Sequence, residues 1–122
     1  MLENSHDAEV LIVDDDAPSC SMLADILDFE GYTVACSPNG KEALDYLRSG
    51  PPPRLIILDL QMPVMDGWEF RREQKMDNGL CEIPVVVLSG LLGSAEIQAD
   101  AIMHKPVDLE RLLILLRDLV HH

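Results

Sequence analysis

Leu55-Ile56-Ile57-Leu58-Asp59 is the stretch on which the fold turns. Four aliphatic residues in a row leave no polar face, so as a strand this segment must be covered on both sides. A strand covered on both faces belongs to a parallel sheet with helices above and below it. The run is preceded by the stiff Pro51-Pro52-Pro53 segment, read as a rigid loop and not as a domain boundary. It ends abruptly in a carboxylate.

Runs of the same kind recur on either side. Val10–Val13, Val85–Leu88 and the weaker Ala101–Met103 are short and apolar, and Thr33–Ala35 is a fifth candidate. Helical patterns lie between them. Leu23, Ile26 and Leu27 share a face, with Gly31 as the stop. Ala43, Leu44 and Leu47 form a second stripe ended by Gly50, Trp68–Met76 a third helix, and Ser94–Ala99 a short fourth. A last helix starts at Leu109 with Asp108 at its N-cap. Alternating strands and helices predict an α/β fold with a five-stranded parallel sheet and helices on both faces. Right-handed crossovers then bring every strand's C-terminal end to one edge, where ligand sites of such sheets lie.

Composition narrows the function. The 122 residues suffice for one domain, and 48% are hydrophobic, which excludes disorder. Nine Lys and Arg against 22 Asp and Glu give a net charge of −13. Such a field repels phosphate backbones and anionic lipid, so direct nucleic-acid or membrane binding is not expected. A cation or a basic protein partner is easier to accommodate. No stretch approaches the roughly 18 apolar residues of a membrane span. Cys20, Cys36 and Cys81 are odd in number, widely spaced and without a CxxC, which predicts reduced thiols of a cytoplasmic protein rather than a disulfide or zinc site. Residues 1–9 hold Glu3, Asp7 and Glu9 but no Lys or Arg, unlike a signal peptide.

The strand ends carry the chemistry. The first strand runs into Asp14-Asp15-Asp16, the third ends in Asp59, the fourth in Ser89-Gly90 and the fifth near Lys105-Pro106. Gathered carboxylates repel and require a cation or a proton. Hard oxygen ligands favour Mg²⁺. A carboxylate beside Mg²⁺ can attack phosphorus to give an acyl phosphate, while a Lys and a Ser hydroxyl stabilise the phosphoryl oxygens. Each piece alone also fits a solvated loop, a helix cap or a surface turn; their order at successive strand ends is the specific signal.

These stretches resemble the receiver domain of bacterial two-component response regulators. The resemblance rests on LIVDDDAPS (Leu11–Ser19), LIILDLQMPVMDGWEF (Leu55–Phe70), VVVLSG (Val85–Gly90) and HKPVDLERLL (His104–Leu113). It implies a flavodoxin-like (βα)5 fold with strand order 2-1-3-4-5 and 9–120 as the receiver domain; the residues themselves suggest 1–8 as a flexible lead-in and 121–122 as a tail or tag remnant. It implies Asp59 as phosphoacceptor, with Asp15 touching Mg²⁺ directly, Asp14 through water, and the backbone carbonyl of Gln61 as the third protein ligand. Ser89 and Lys105 would contact the phosphoryl group, and Lys105-Pro106 would be a cis peptide. Met62-Pro63 would shape the loop over the site, and Asp66-Gly67 would form the turn into the third helix. Trp68 is expected to pack, and Met65, Met76 and Met103 to fill gaps in the core.

Two departures from the family stand out. Ile102 occupies the switch position, where receivers usually carry an aromatic, and is expected simply to fill the fifth strand. Only Leu91–Asp100 remains to cross between the last two strands, against the minimum of about 10–12 residues for a crossover with its helix. The fourth helix should therefore be short, displaced or absent. The last helix is unusually apolar: Leu109, Leu112, Leu113, Leu116 and Val120 form its core stripe, Leu115 and Leu119 widen it, and Ile114 lies opposite. The surplus suggests packing on a partner or a homodimer.

The implied function is a signalling switch phosphorylated on Asp59 by a histidine kinase or histidine phosphotransfer protein. Its output partner is not encoded in any motif. The chain ends just after the last helix, which suits a stand-alone receiver or one cut from a hybrid kinase or longer regulator. The alternative is a degenerate receiver that binds proteins without phosphorylation. An Asp-nucleophile phosphatase is disfavoured because Gln61 stands where a second acid is needed, and a flavin site because no phosphate-binding loop follows the first strand.

Overall fold

A computed structural model describes residues 8–59, 66–89, 99–105 and 107–120, for Ser89 the backbone alone. Five parallel strands stand in the order β2-β1-β3-β4-β5: β1 Val10–Val13, β2 Val34–Ser37, β3 Leu55–Asp59, β4 Val85–Ser89 and β5 Ala101–His104. Four helices are described, α1 Ala17–Phe29, α2 Gly40–Arg48, α3 Gly67–Met76 and α4 Leu109–Val120. This is the flavodoxin-like sheet expected from the sequence, with helices on both faces. The short fourth crossover helix, Met62-Pro63, Met65 and the Lys105-Pro106 peptide fall on or against residues outside those described.

The apolar runs become central strands because both of their faces are covered. Leu11, Val13, Ile56, Leu58, Val85 and Val87 pack with Ala43, Leu44 and Leu47 of α2 and Phe70 of α3. The alternate residues Val10, Ile12, Leu55, Ile57, Val86 and Leu88 pack with Leu27 of α1 and Leu112, Leu116 and Val120 of α4. The period of two along each strand thus splits one apolar run between two cores.

Local chemistry starts and stops the helices. The Asp16 carboxylate accepts from Ser19 N at 3.2 Å to cap α1, and Asn39 Oδ1 accepts from Glu42 N at 2.9 Å to cap α2. Asp66 and Glu69 form a reciprocal capping box on α3. Asp108 Oδ1 accepts from Arg111 N at 3.2 Å at the head of α4, as its sequence position predicts. Gly31 follows α1 with φ of +100°, where a side chain would be strained.

Two expectations are corrected. Met76 is 73% exposed instead of filling the core, because it closes α3 on the face turned from the sheet. Cys20 and Cys36 are joined as a disulfide, so only Cys81 remains a free thiol, and it is exposed. Sixteen residues separate the pair in sequence, and parallel pairing of β1 with β2 closes that distance. Most of the apolar surplus of α4 is absorbed internally: Leu113, Leu115 and Leu119 pack partly buried on the molecule's own core, leaving Leu109 and Ile114 exposed. Met103 is buried and Ile102 packs, partly buried, against the α2/α3 core, as a strand-filling residue should.

Candidate functional site

Strand register builds the site. Val13 pairs with Leu58 across β1 and β3, so Asp14 and Asp59 come next, side by side at the C-terminal edge. Asp59 pairs with Leu88, which puts Ser89 one position further along β4. Ser89 in turn pairs with His104, and Lys105 is the next residue after that strand. Residues scattered over 90 positions of chain therefore meet because each apolar run stops at the same level.

One carboxylate oxygen from each of Asp14, Asp15 and Asp59 lies within 4.8 Å of the others. Asp14 and Asp59 are buried at 8% and 6% exposure, and Asp15 is exposed. Lys105 Nζ lies 3.5 Å from Asp59 Oδ2. Asp14 is held at both ends: its N–H donates to Ser37 O at 3.0 Å, and its Oδ1 accepts from Asp16 N at 2.9 Å. Asp16 itself turns to cap α1, so the three consecutive aspartates divide their work, two to the cluster and one to the helix.

The electrostatics are unbalanced. Three carboxylates face one ammonium. Two like charges within 4.8 Å of each other repel by at least about 3 kcal/mol at an effective dielectric of about 20. Burial pushes the Asp14 carboxyl above its ordinary range, and Asp59 adds to the rise, while the bond from Asp16 N and the Lys105 charge oppose it. A hard divalent cation would resolve the repulsion, and an all-oxygen donor set open to solvent at Asp15 fits Mg²⁺.

The raised Asp14 gives a stability prediction. Because its folded-state affinity for a proton exceeds that of the unfolded chain, ionisation of Asp14 costs stability. That cost is absent at low pH, grows as pH climbs past the ordinary aspartate range, and is complete above the raised value. Asp14→Asn keeps the acceptor for Asp16 N and removes the charge. In metal-free buffer at neutral pH it should stabilise the fold and raise Tm. Calorimetry against pH should show this gain vanishing in acid.

A cavity of about 320 Å³ opens beside the cluster between α1 and β2, lined by Asp14, Asp15, Cys20, Cys36 and Ser37 among others. A larger cavity of about 590 Å³ lies between the end of α1 and α4, around Tyr32, Ile114 and Arg117, and brings together none of the expected site residues. Of those residues, Asp14, Asp15, Asp59 and Lys105 converge. Ser89 occupies the expected strand end, and Gln61 lies outside the described residues. The sequence did not reveal Ser37, whose carbonyl fixes Asp14; a backbone acceptor leaves no mark on residue type.

Residues 10–117 match the model of the response regulator receiver domain. Response regulator MprA of Mycolicibacterium vanbaalenii is 34% identical over 117 residues, which cover 91% of this chain and 49% of the relative. The chain thus spans about half the length of the curated relatives it matches. The signal receiver domain of a signal transduction histidine kinase from Syntrophus aciditrophicus superposes with a TM-score of 0.86 at 34% identity, over 93% of this chain and 90% of that one. The receiver domain of a sensor histidine kinase from Pseudomonas aeruginosa, with magnesium coordinated in its active site cleft, shares the fold at a TM-score of 0.85 and 22% identity, over 94% and 98% of the two chains.

Proposed function

The chain belongs to the response regulator receiver domain family, and from that premise we propose that it accepts a phosphoryl group on Asp59 from a histidine kinase or histidine phosphotransfer protein. The observation that carries this is the convergence of Asp14, Asp15 and Asp59 within 4.8 Å, with Lys105 Nζ 3.5 Å from Asp59. Asp14, Asp15 and Asp59 would hold Mg²⁺, with the Gln61 carbonyl added by family resemblance. The bound ion would neutralise charge on the transferring group.

The chain's own groups do the rest. Asp59 lends a carboxylate oxygen to phosphorus as the bond from phosphorus to the donor's imidazole nitrogen breaks, leaving an acyl phosphate on Asp59. Lys105 already faces Asp59 and offers its ammonium to the phosphoryl oxygens. The Ser89 hydroxyl would donate to another of them. The gain of negative charge at a buried position then biases a pre-existing equilibrium of the fold. Turnover of other substrates forms no part of this role, which is that of a cytoplasmic switch built on residues 9–120.

Incubation with a small-molecule phosphodonor tests the proposal. Intact-mass spectrometry should show one added phosphoryl group, dependent on Mg²⁺ and released by hydroxylamine as an acyl phosphate requires. Ile102 at the switch position favours a second possibility, a degenerate receiver that works by binding alone. Failure both to label and to bind Mg²⁺ would establish that one instead.

A further inference from the structure

Cys20 lies in the first turns of α1, is 4% exposed, and donates its N–H to Asp16 O at 3.0 Å. Cys36 sits on β2, an edge strand, and is exposed. Their Cα atoms are 6.6 Å apart, inside the roughly 4.4–6.8 Å that a disulfide spans. Both line the cavity that Asp14 and Asp15 also line. Ser37, next after Cys36, carries the carbonyl that holds Asp14 N, and Asp16, four residues before Cys20, holds the Asp14 carboxylate through its own N–H. The turn carrying the two acids is therefore slung between two anchors, β2 and the head of α1, and the Cys20–Cys36 bond ties those anchors together.

We propose that Cys20 and Cys36 form a reversible redox staple that sets the metal affinity of the Asp14, Asp15 and Asp59 cluster, which rests on the assignment of those three carboxylates as Mg²⁺ ligands. With the staple closed, α1 and β2 cannot part, and the mutually repelling carboxylates stay near the spacing a cation needs. With it open, repulsion is free to splay the turn. Supports behind metal ligands act on affinity in this way.

The oxidant is a low-molecular-weight disulfide. The Cys36 thiolate attacks one of its sulfurs, forming a mixed disulfide and releasing one small thiol. Cys20 gives its proton to solvent and attacks the Cys36 sulfur, releasing the second small thiol. The protein gives up two electrons and two protons, and the small disulfide takes both as two thiols. The exposed edge position of Cys36 makes it the point of entry. In a compartment held reducing, a pair of this kind is a sensor rather than a permanent brace.

The test uses the whole chain carrying Cys81→Ser, which removes the free exposed thiol. Equilibration across a series of oxidised and reduced small-thiol buffers should take the free-thiol count from two to none without covalent dimer. Titration calorimetry should then give Mg²⁺ binding about tenfold tighter in the oxidised form, the lower end of what outer support of metal ligands contributes. Adding Cys36→Ser, at an exposed edge position, should fix the affinity at the reduced value in every buffer. A thiol count that never changes, or equal affinity in two forms whose counts differ, overturns the staple alone. Absence of Mg²⁺ binding in both forms overturns the ligand assignment and the coupling with it.

Discussion

Asp59→Asn is expected to abolish phosphoryl acceptance. The carboxamide has the shape of the carboxylate, so the register of β3 against β1 and β4 is untouched, and the buried strand end has no reason to move. On the proposed role, what disappears is the nucleophile: the amide oxygen shares its electrons with nitrogen and carries no charge to bring to phosphorus. The cluster also loses one of its three oxygens, and Lys105 loses its anionic partner at 3.5 Å. Intact-mass measurement after exposure to phosphodonor and Mg²⁺ should show no added group. A variant that still takes up label would move the acceptor elsewhere, with Asp14 and Asp15 the first places to look.

Gln74→Leu should cause a comparably large loss of a different kind. Gln74 is fully buried on α3, where a polar side chain needs a reason. Its Nε2 donates to Leu80 O at 2.9 Å and Ile83 O at 3.1 Å, and its Oε1 accepts from Arg71 at 2.7 Å. One side chain thus fastens α3 to the loop that feeds β4. Leucine fills a similar volume but takes the donor from Ile83 O and the acceptor from Arg71, while Leu80 O keeps the bond from Ile83 N at 3.2 Å. The Ile83 carbonyl loses its donor at a cost of about 1–3 kcal/mol, and the bond from the Arg71 guanidinium is lost with it, so a total of about 2–4 kcal/mol is expected. That is a large share of the roughly 5–15 kcal/mol that holds a domain folded. Urea unfolding should show the midpoint falling with little change in slope. A loss below about 1 kcal/mol would mean that the loop finds other donors.

The sheet was legible because its evidence is local. Val10–Val13 and Leu55–Leu58 have no polar residue to turn toward water, and that alone demands cover on both faces. The acidic cluster was legible because Val10–Val13 and Leu55–Leu58 each stop at an aspartate, and a parallel sheet collects such stops at one edge. Helix ends were equally plain, since Asp108 caps only the few residues beside it. Met76 was misplaced because periodicity says that a helix has two faces without saying which one meets the sheet.

Residue order by itself determined the class of fold, the succession of strands and helices, and the identity of the acids and the lysine at the strand ends, since burial and capping act over a few neighbours. Only the folded chain decided the rest. It joined Cys20 to Cys36, gave Asp16 to the helix instead of the cluster, hung Asp14 from the Ser37 carbonyl, and sank Gln74 into the core. Each of these is a meeting between segments far apart in the chain or a choice among adjacent equivalent groups, and both depend on strand register and helix placement, which local pattern does not carry.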